Sequence, residues 1–178
     1  MISCIVYSSG TGSCEKYAGL LSAALHVPAK TLKNAYVRPS GEVLYIGWLM
    51  NGKIQGLEAA KAKFNVTGVV QVGMAPVDHA DAEAKGREKN QVPETVAYFC
   101  RQGAFDMAKL NPVFKAIMAI INKKTVKSLE GKANMTAQEQ AVYNMAKYGK
   151  GDPAEWKIDD IVAWAKGPDA LVSENKMF

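Results

Sequence analysis

Residues 2–14 read ISCIVYSSGTGSC, a short run of β-branched and aromatic side chains followed by a loop of hydroxyls and glycines. The run from Ile2 to Tyr7 predicts a buried strand, and the residues from about Cys14 to Leu25 predict a helix. A loop between a strand and a helix presents backbone N–H groups at the positive end of the helix dipole, which suits a phosphate. This stretch therefore predicts a phosphate-binding loop.

The side chains of the loop favour the same interpretation. Its glycines allow a ligand to approach the backbone closely, and the hydroxyls of Ser9, Thr11 and Ser13 offer further hydrogen bonds. The loop has no lysine, and the patterns Gly-x(4)-Gly-Lys-Ser/Thr and Gly-x-Gly-x-x-Gly are both absent. An alternative remains open, in which the small residues only permit close packing and the hydroxyls only cap the helix.

Strands and helices alternate along the first hundred residues. Apolar runs predict further strands at Val43–Trp48, Val69–Val72 and Thr95–Arg101, with a weaker strand within residues 30–37. Helices are predicted over about Gln55–Phe64 and Ala80–Lys89. This alternation implies parallel pairing, and runs without polar alternation are typical of strands covered on both faces. We therefore expect an α/β fold, a single doubly wound domain over residues 1–168.

The last third of the chain is predicted to be helical. One helix spans Leu110 to Lys124, a second follows the capping box of Thr136 and Glu139, and the third starts at Asp152-Pro153. We expect a helical insertion over about residues 103–150 and a loose tail over 169–178. The first helix has a broad apolar face, made of Val113, Phe114, Ile117, Met118, Ile120 and Ile121.

That helix is also basic, because five lysines and no acid lie between Met107 and Ser128. A basic amphipathic helix can lie on an anionic membrane surface or cover a partner. The interpretation favoured by the sequence is an ordinary helix packed on the edge of the sheet, with its lysines in water. The lysines are Lys109, Lys115, Lys123, Lys124 and Lys127.

Composition sets wide limits on function. The chain has 178 residues, a net charge of +5 and 22% charged residues, which is ordinary for a soluble globular protein. It lacks a signal-peptide pattern, a membrane-length apolar run and a nucleic-acid motif. Its cysteines, Cys4, Cys14 and Cys100, have no metal-ligand spacing, so reduced thiols and a cytoplasmic location are expected.

One cluster of possible metal ligands follows the third clear strand. It contains Asp78, His79, Asp81 and Glu83. Acidic residues are favoured at the start of a helix by its dipole, which explains the cluster without a metal. No metal site is therefore predicted.

Residues 5–25, IVYSSGTGSCEKYAGLLSAAL, resemble the N-terminal fingerprint of flavodoxins. The resemblance implies a flavodoxin-like three-layer sandwich with a five-stranded parallel sheet in the order 2-1-3-4-5 and non-covalent FMN as cofactor. It implies phosphate contacts from Ser9, Gly10, Thr11, Gly12, Ser13 and Cys14. Flavodoxins usually have threonine at the position of Cys14, and a thiol is the poorer donor. A position at a helix N-terminus could also lower the pKa of this thiol.

The same resemblance places the flavin ring between two later loops. The first contributes Gly47, Trp48, Leu49, Met50 and Asn51, with Trp48 expected to stack on the ring. The alternative for Trp48 is a core residue at the end of a strand. The second loop contributes Gly73, Met74 and Ala75. Many flavodoxins have a tyrosine in this second loop and this chain has none, so one face of the ring is expected to be open or covered by Met74.

Residues 98–124 are similar in general pattern to a flavodoxin-like subgroup that includes menaquinone-dependent protoporphyrinogen dehydrogenases, which carry a long insertion after the fifth strand. This likeness transfers no catalytic residue. We expect a protein that transfers electrons through FMN to a redox partner protein or a small-molecule acceptor such as a quinone. An FMN-dependent quinone or protoporphyrinogen-type dehydrogenase is one alternative, and a binding module without flavin is another.

Overall fold

The computed structural model describes residues 1–74, 79–110 and 112–167. The strands are β1 Ile2–Ser8, β2 Ala29–Thr31, β3 Glu42–Met50, β4 Lys53–Ile54, β5 Asn65–Gly73, β6 Ala97–Gln102, β7 Phe105–Asp106 and β8 Lys150–Gly151. The helices are α1 Ser13–Leu25, α2 Leu57–Lys63, α3 His79–Asn90, α4 Pro112–Leu129, α5 Ala137–Tyr148 and α6 Asp159–Lys166, with a short 3₁₀ turn at Met107–Lys109.

Five parallel strands form the central sheet in the order β2-β1-β3-β5-β6. The predicted α/β fold with a parallel sheet between helices is confirmed. The short strand β4, which the sequence analysis did not include, pairs antiparallel with the end of β3. A separate two-stranded pair, β7 with β8, brings residue 105 beside residue 151. The segment that contains α4 and α5 therefore begins and ends at the same place, beside this pair of strands.

The two faces of the sheet carry separate apolar clusters. Ile5 and Leu44 pack with α1 and α6 on one face, whereas Val6 and Val43 pack with α2 on the other. Neighbouring residues of a strand point to opposite faces, so a strand covered on both faces is apolar at every position. This explains the unbroken apolar runs that marked the strands in the sequence.

The final helix starts later than the sequence predicts. Asp152-Pro153 does not begin it, because residues 152–158 form no helix and α6 starts at Asp159. Within this segment the Trp156 ring packs on Tyr17, 4.8 Å between centroids, and the Lys16 ammonium lies 4.0 Å from the Trp156 ring. These contacts with α1 hold the segment extended. The predicted tail, residues 169–178, lies outside the described residues.

A buried arginine fixes α6 to the sheet. Arg101 at the end of β6 donates to the carbonyl oxygens of Cys100, at 2.7 Å, and Lys157, at 2.9 Å, and it pairs with Asp160. A buried guanidinium is tolerated when its donors are paired in this way. Within the described ranges, no helix combines the length and the apolar character needed to cross a membrane.

The packing of α6 predicts opposite effects for two glycine substitutions. A Cβ added at Gly68 on β5 would press into the Trp164 ring and lie 2.9 Å from Leu44 Cδ1, whereas one at Gly19 on α1 would meet nothing within 4 Å. We expect Gly68→Ala to lower the free energy of unfolding by about 2 kcal/mol through overpacking. The control Gly19→Ala should raise it by about 1 kcal/mol through helix propensity. Urea unfolding measures the free energy of unfolding of both variants. A Gly68→Ala variant as stable as the parent would contradict the packing of Trp164 on Gly68.

Candidate functional site

The candidate site lies at the carboxyl edge of the sheet, where β1 and β3 are neighbours. After β1 the chain enters α1, which packs on one face, and after β3 it enters β4 and α2, which packs on the other. In open α/β sheets, a crevice forms where connections diverge in this way, and ligands bind there. The loop of residues 9–12 and the β3–β4 hairpin form its two sides.

The loop after β1 ends on a glycine that needs its conformational freedom. Gly12 has a φ of 99°, in the left-handed region that favours glycine, and a Cβ built on it would meet nothing within 4 Å. Its N–H donates to Ser9 Oγ at 3.1 Å, and its carbonyl accepts from the Lys16 N–H at 2.9 Å. The first N–H groups of a helix have no partner within the helix, so this turn directs donors outward.

Trp48 brings the hairpin against the loop. A Cβ added at Gly10 would lie 3.3 Å from Trp48 Cε2, so the indole packs on the glycine backbone. The Trp48 ring also meets Phe114 of α4 edge-on, with 6.4 Å between ring centroids. Trp48 is half-buried and also packs against the core cluster that includes Ile46. The core interpretation of Trp48 therefore describes part of its surroundings, and stacking on a flavin ring stays a prediction.

Two predicted phosphate residues point their side chains inward. Ser13 is buried and its hydroxyl donates to the Ala104 carbonyl at 3.2 Å. Cys14 is 1% exposed, and burial raises the pKa of its thiol to about 12. The expectation of a lowered thiol pKa is therefore wrong, because desolvation outweighs the helix dipole here. Ser9 and Thr11 are the loop hydroxyls that reach the surface.

A cavity of about 440 Å³ opens beside the loop. The sequence predicted Ser9 and Trp48 of its lining and missed two charged residues, Glu15 of α1 and Lys33 after β2. Glu15 also raises the pKa of the Tyr7 phenol, an effect secondary to desolvation. Glu15 lies within the fingerprint of residues 5–25 but was assigned no role there, and Lys33 belongs to no motif; the topology brings the two together. The remaining lining residues are Tyr7 and Ser8 of β1, Thr31, Leu32 and Gln55.

The other predicted ring residues line a different cavity. Leu49, Gly73 and Met74 face a space of about 510 Å³ that is closed by Met118 of α4 and Met145 of α5, among other residues. The structure therefore does not gather all the predicted ring contacts at one place. Met50 and Asn51 lie at the hairpin turn, Gly47 is within β3, and Ala75 lies outside the described residues.

The hairpin that carries Trp48 is held by a buried asparagine. Asn51 and Gly52 have φ values of 52° and 74°, as a two-residue hairpin turn requires. Asn90, 2% exposed at the end of α3, accepts from the Ile54 N–H at 2.8 Å and donates to the Gly52 carbonyl at 3.0 Å. It also donates to the Gly86 carbonyl at 2.9 Å. This role could not be predicted from the sequence, because asparagine is common at helix ends.

No family model, no curated protein and no solved structure matches the chain. Within the described ranges, no three His, Cys, Asp or Glu side chains come together as a metal site would require. Asp78, one of the acids considered above, lies outside those ranges.

Asn90→Ala should loosen the hairpin. The change leaves the Ile54 N–H and the Gly52 carbonyl without their partner, and we expect the free energy of unfolding to fall by about 3 kcal/mol. Glu88→Ala, an exposed change on the same helix, should stay within about 0.5 kcal/mol of the parent. Denaturant unfolding compares the two variants. Equal stability of both would show that the hairpin does not depend on Asn90.

The three thiols should be unreactive in the folded protein. All three are buried, and burial raises the pKa of Cys14 to about 12 and that of Cys100 to about 11, so both remain protonated near pH 8. Because the thiolate is the reactive form, Ellman's reagent should label them only after unfolding in guanidinium. One rapid equivalent in the native state, lost in Cys14→Ser, would instead show an activated Cys14.

Proposed function

We propose that this chain is a flavodoxin-like protein that binds FMN at the crevice between β1 and β3 and works as a redox protein. The observation that carries the proposal is the contact of Trp48 with Gly10, which joins an aromatic ring to a phosphate-type loop at this crevice. The order of the five parallel strands, β2-β1-β3-β5-β6, supports the finer fold assignment, since it corresponds to 2-1-3-4-5.

The donor set of the loop fits a phosphate. Ser9 and Thr11 offer hydroxyls, and the open space at Gly12 leaves room for a ligand beside the start of α1. Lys33 supplies one positive charge to the cavity and Glu15 one negative charge. Neutralisation of the phosphate would therefore come mainly from the helix dipole and the hydroxyls.

The residues around Trp48 fit a flat aromatic ring. The indole would stack on one side, and the backbone of the β3–β4 hairpin, fixed by Asn90, would border the ring edge. Bound FMN would supply the redox chemistry, while these residues position it and limit its contact with water. Ser13 and Cys14 would contribute backbone N–H groups only, because their side chains point inward.

A specific observation favours an enzyme that uses a small acceptor over a carrier between proteins. The 510 Å³ cavity adjoins the same edge of the sheet through Leu49 and Met74, and α4 and α5 contribute apolar side chains such as Met118 and Met145 to its lining. A cavity of this size, with apolar walls and a few charged side chains such as Lys85 and Arg101, suits a small molecule with an apolar body and polar oxygens, such as a quinone. Saturable turnover with soluble quinones would support this version, and reduction of protein acceptors alone would support the carrier.

The first test is a visible absorption spectrum of the purified protein before and after addition of FMN and desalting. Thr11→Asp should weaken FMN binding by about a hundredfold or more, because like charges in contact cost several kcal/mol. Ser40→Asp makes the same change of charge in the exposed loop before β3, at the opposite edge of the sheet, and should bind like the parent.

The outcomes separate the alternatives. Retained flavin that is lost in Thr11→Asp and kept in Ser40→Asp supports the assigned loop. Equal loss in both variants would point to general charge effects and not to this loop. No retained flavin in the parent would remove the proposal and leave the binding module without flavin.

A further inference from the structure

The helix α4 has an apolar surface that the rest of the described domain does not cover. Val113 is 69% exposed, Ile120 is 61% exposed and Ile117 is 47% exposed, and the three lie along one side of the helix at spacings of four and three residues. Ile121, 46% exposed, lies at the rim between this side and the 510 Å³ cavity. We call Val113, Ile117 and Ile120 the outer stripe.

The adjoining side of α4 is the part that packs. Phe114 meets the Trp48 ring, and Met118 and Thr125 line the 510 Å³ cavity beneath the helix. The sequence placed all six large apolar residues on one face toward the sheet. The structure divides them, because a helix in contact with the body along one side can bury only part of so wide a face. The outer stripe therefore remains exposed and does not contribute to the packing of α4 on the domain.

The charged residues of α4 and of the turn before it are all lysines. Between Met107 and Leu129 the chain has five lysines and no acidic residue. Lys123, Lys124 and Lys127 are exposed and follow the stripe within the next two turns, so that Lys127 is about 10 Å along the axis from Ile120. An apolar stripe that leads into a cluster of lysines is the pattern of a helix that lies in the interface of an anionic bilayer.

We propose that α4 docks this protein on the surface of an anionic lipid bilayer, with the outer stripe in the headgroup–acyl boundary and the lysines on the lipid phosphates. The long stems of the lysines allow their ammonium groups to reach the headgroups while the isoleucines insert. A second copy of this chain is the weaker occupant, because it would bring five more lysines and no acid to the same helix. The proposal does not depend on FMN.

The docked helix would place the candidate site close to the bilayer. Phe114, on the inner side of α4, contacts Trp48, and the 510 Å³ cavity lies directly beneath the helix. An apolar ligand dissolved in the bilayer would then reach the cavity along Ile121, which touches both the cavity and the exposed side.

Vesicle flotation of the full chain tests the proposal. The probe is vesicles of phosphatidylcholine and phosphatidylglycerol in equal parts, compared with vesicles of phosphatidylcholine alone. The parent protein should float with the anionic vesicles, should not float with the neutral ones, and should be released by high salt. Neutral and anionic vesicles that bind equally, or anionic vesicles that bind nothing, would overturn the proposal.

Paired variants separate the two parts of the surface. Ile117→Gln with Ile120→Gln removes the apolar insertion and keeps the charge, whereas Lys123→Gln with Lys124→Gln does the reverse. We expect the lysine pair to weaken binding by roughly 25-fold, since each basic residue near an anionic leaflet contributes about fivefold. The isoleucine pair should abolish flotation. Two control variants change exposed residues outside α4. Tyr36→Gln replaces an exposed aromatic residue, and Lys63→Gln replaces an exposed lysine of α2.

The remaining outcomes also decide the question. Because every changed residue is exposed, thermal unfolding by circular dichroism should be unchanged, and single variants Ile120→Gln and Lys124→Gln serve if a pair unfolds. Binding retained by the isoleucine pair would reject the docked stripe. Self-association of the parent without vesicles, lost in Ile117→Gln with Ile120→Gln, would assign the stripe to a second copy. Stripe-dependent binding to an acidic protein without vesicle binding would assign it to a protein partner.

Discussion

The parallel pairing of β1 with a strand on each side is the constraint on which the rest of the structure depends. β2 lies on one side of β1 and β3 on the other, and later strands extend the sheet beyond β3. Crossovers between parallel strands are right-handed, so connections that move in opposite directions along the sheet lie on opposite faces. Thus α1 covers one face and α2 the other, and the carboxyl ends of β1 and β3 are left with a crevice between them.

The same constraint gives the first turn of α1 two roles. Its first backbone N–H groups have no partner within the helix, while the side chains of Ser13 and Cys14 turn toward the body of the domain. A buried thiol among apolar neighbours needs no hydrogen bond, whereas a hydroxyl in that place would have to find one. Cysteine at position 14 is therefore compatible with a loop whose ligand contacts come from the backbone.

Sequence patterns predicted the elements that depend on local periodicity. The strands around Val6, Ile46 and Val70 could be predicted from their unbroken apolar runs, because each strand is covered on both faces. Strand β4 was missed because it has two residues, although Asn51-Gly52 is a strong hairpin signal. Glu15, Lys33 and Asn90 could not be assigned to the site, because only the completed topology brings them to it. For the same reason the sequence could not divide the face of α4 into an inner and an outer part.

The helix α4 links the crevice to the surface of the molecule. Met118 and Ile120 are two residues apart, which places them about 200° apart around the axis, one toward the cavity and one toward solvent. An 18-residue helix is a single stiff element about 27 Å long, so a force on its outer side is transmitted to its inner side. Because Phe114 touches Trp48, a displacement of α4 would change the packing on Trp48 and the width of both cavities together. The apolar face of α4 is wider than packing on the domain requires. This width fits the proposed arrangement, in which one side of α4 contacts the crevice and the other side contacts a lipid bilayer.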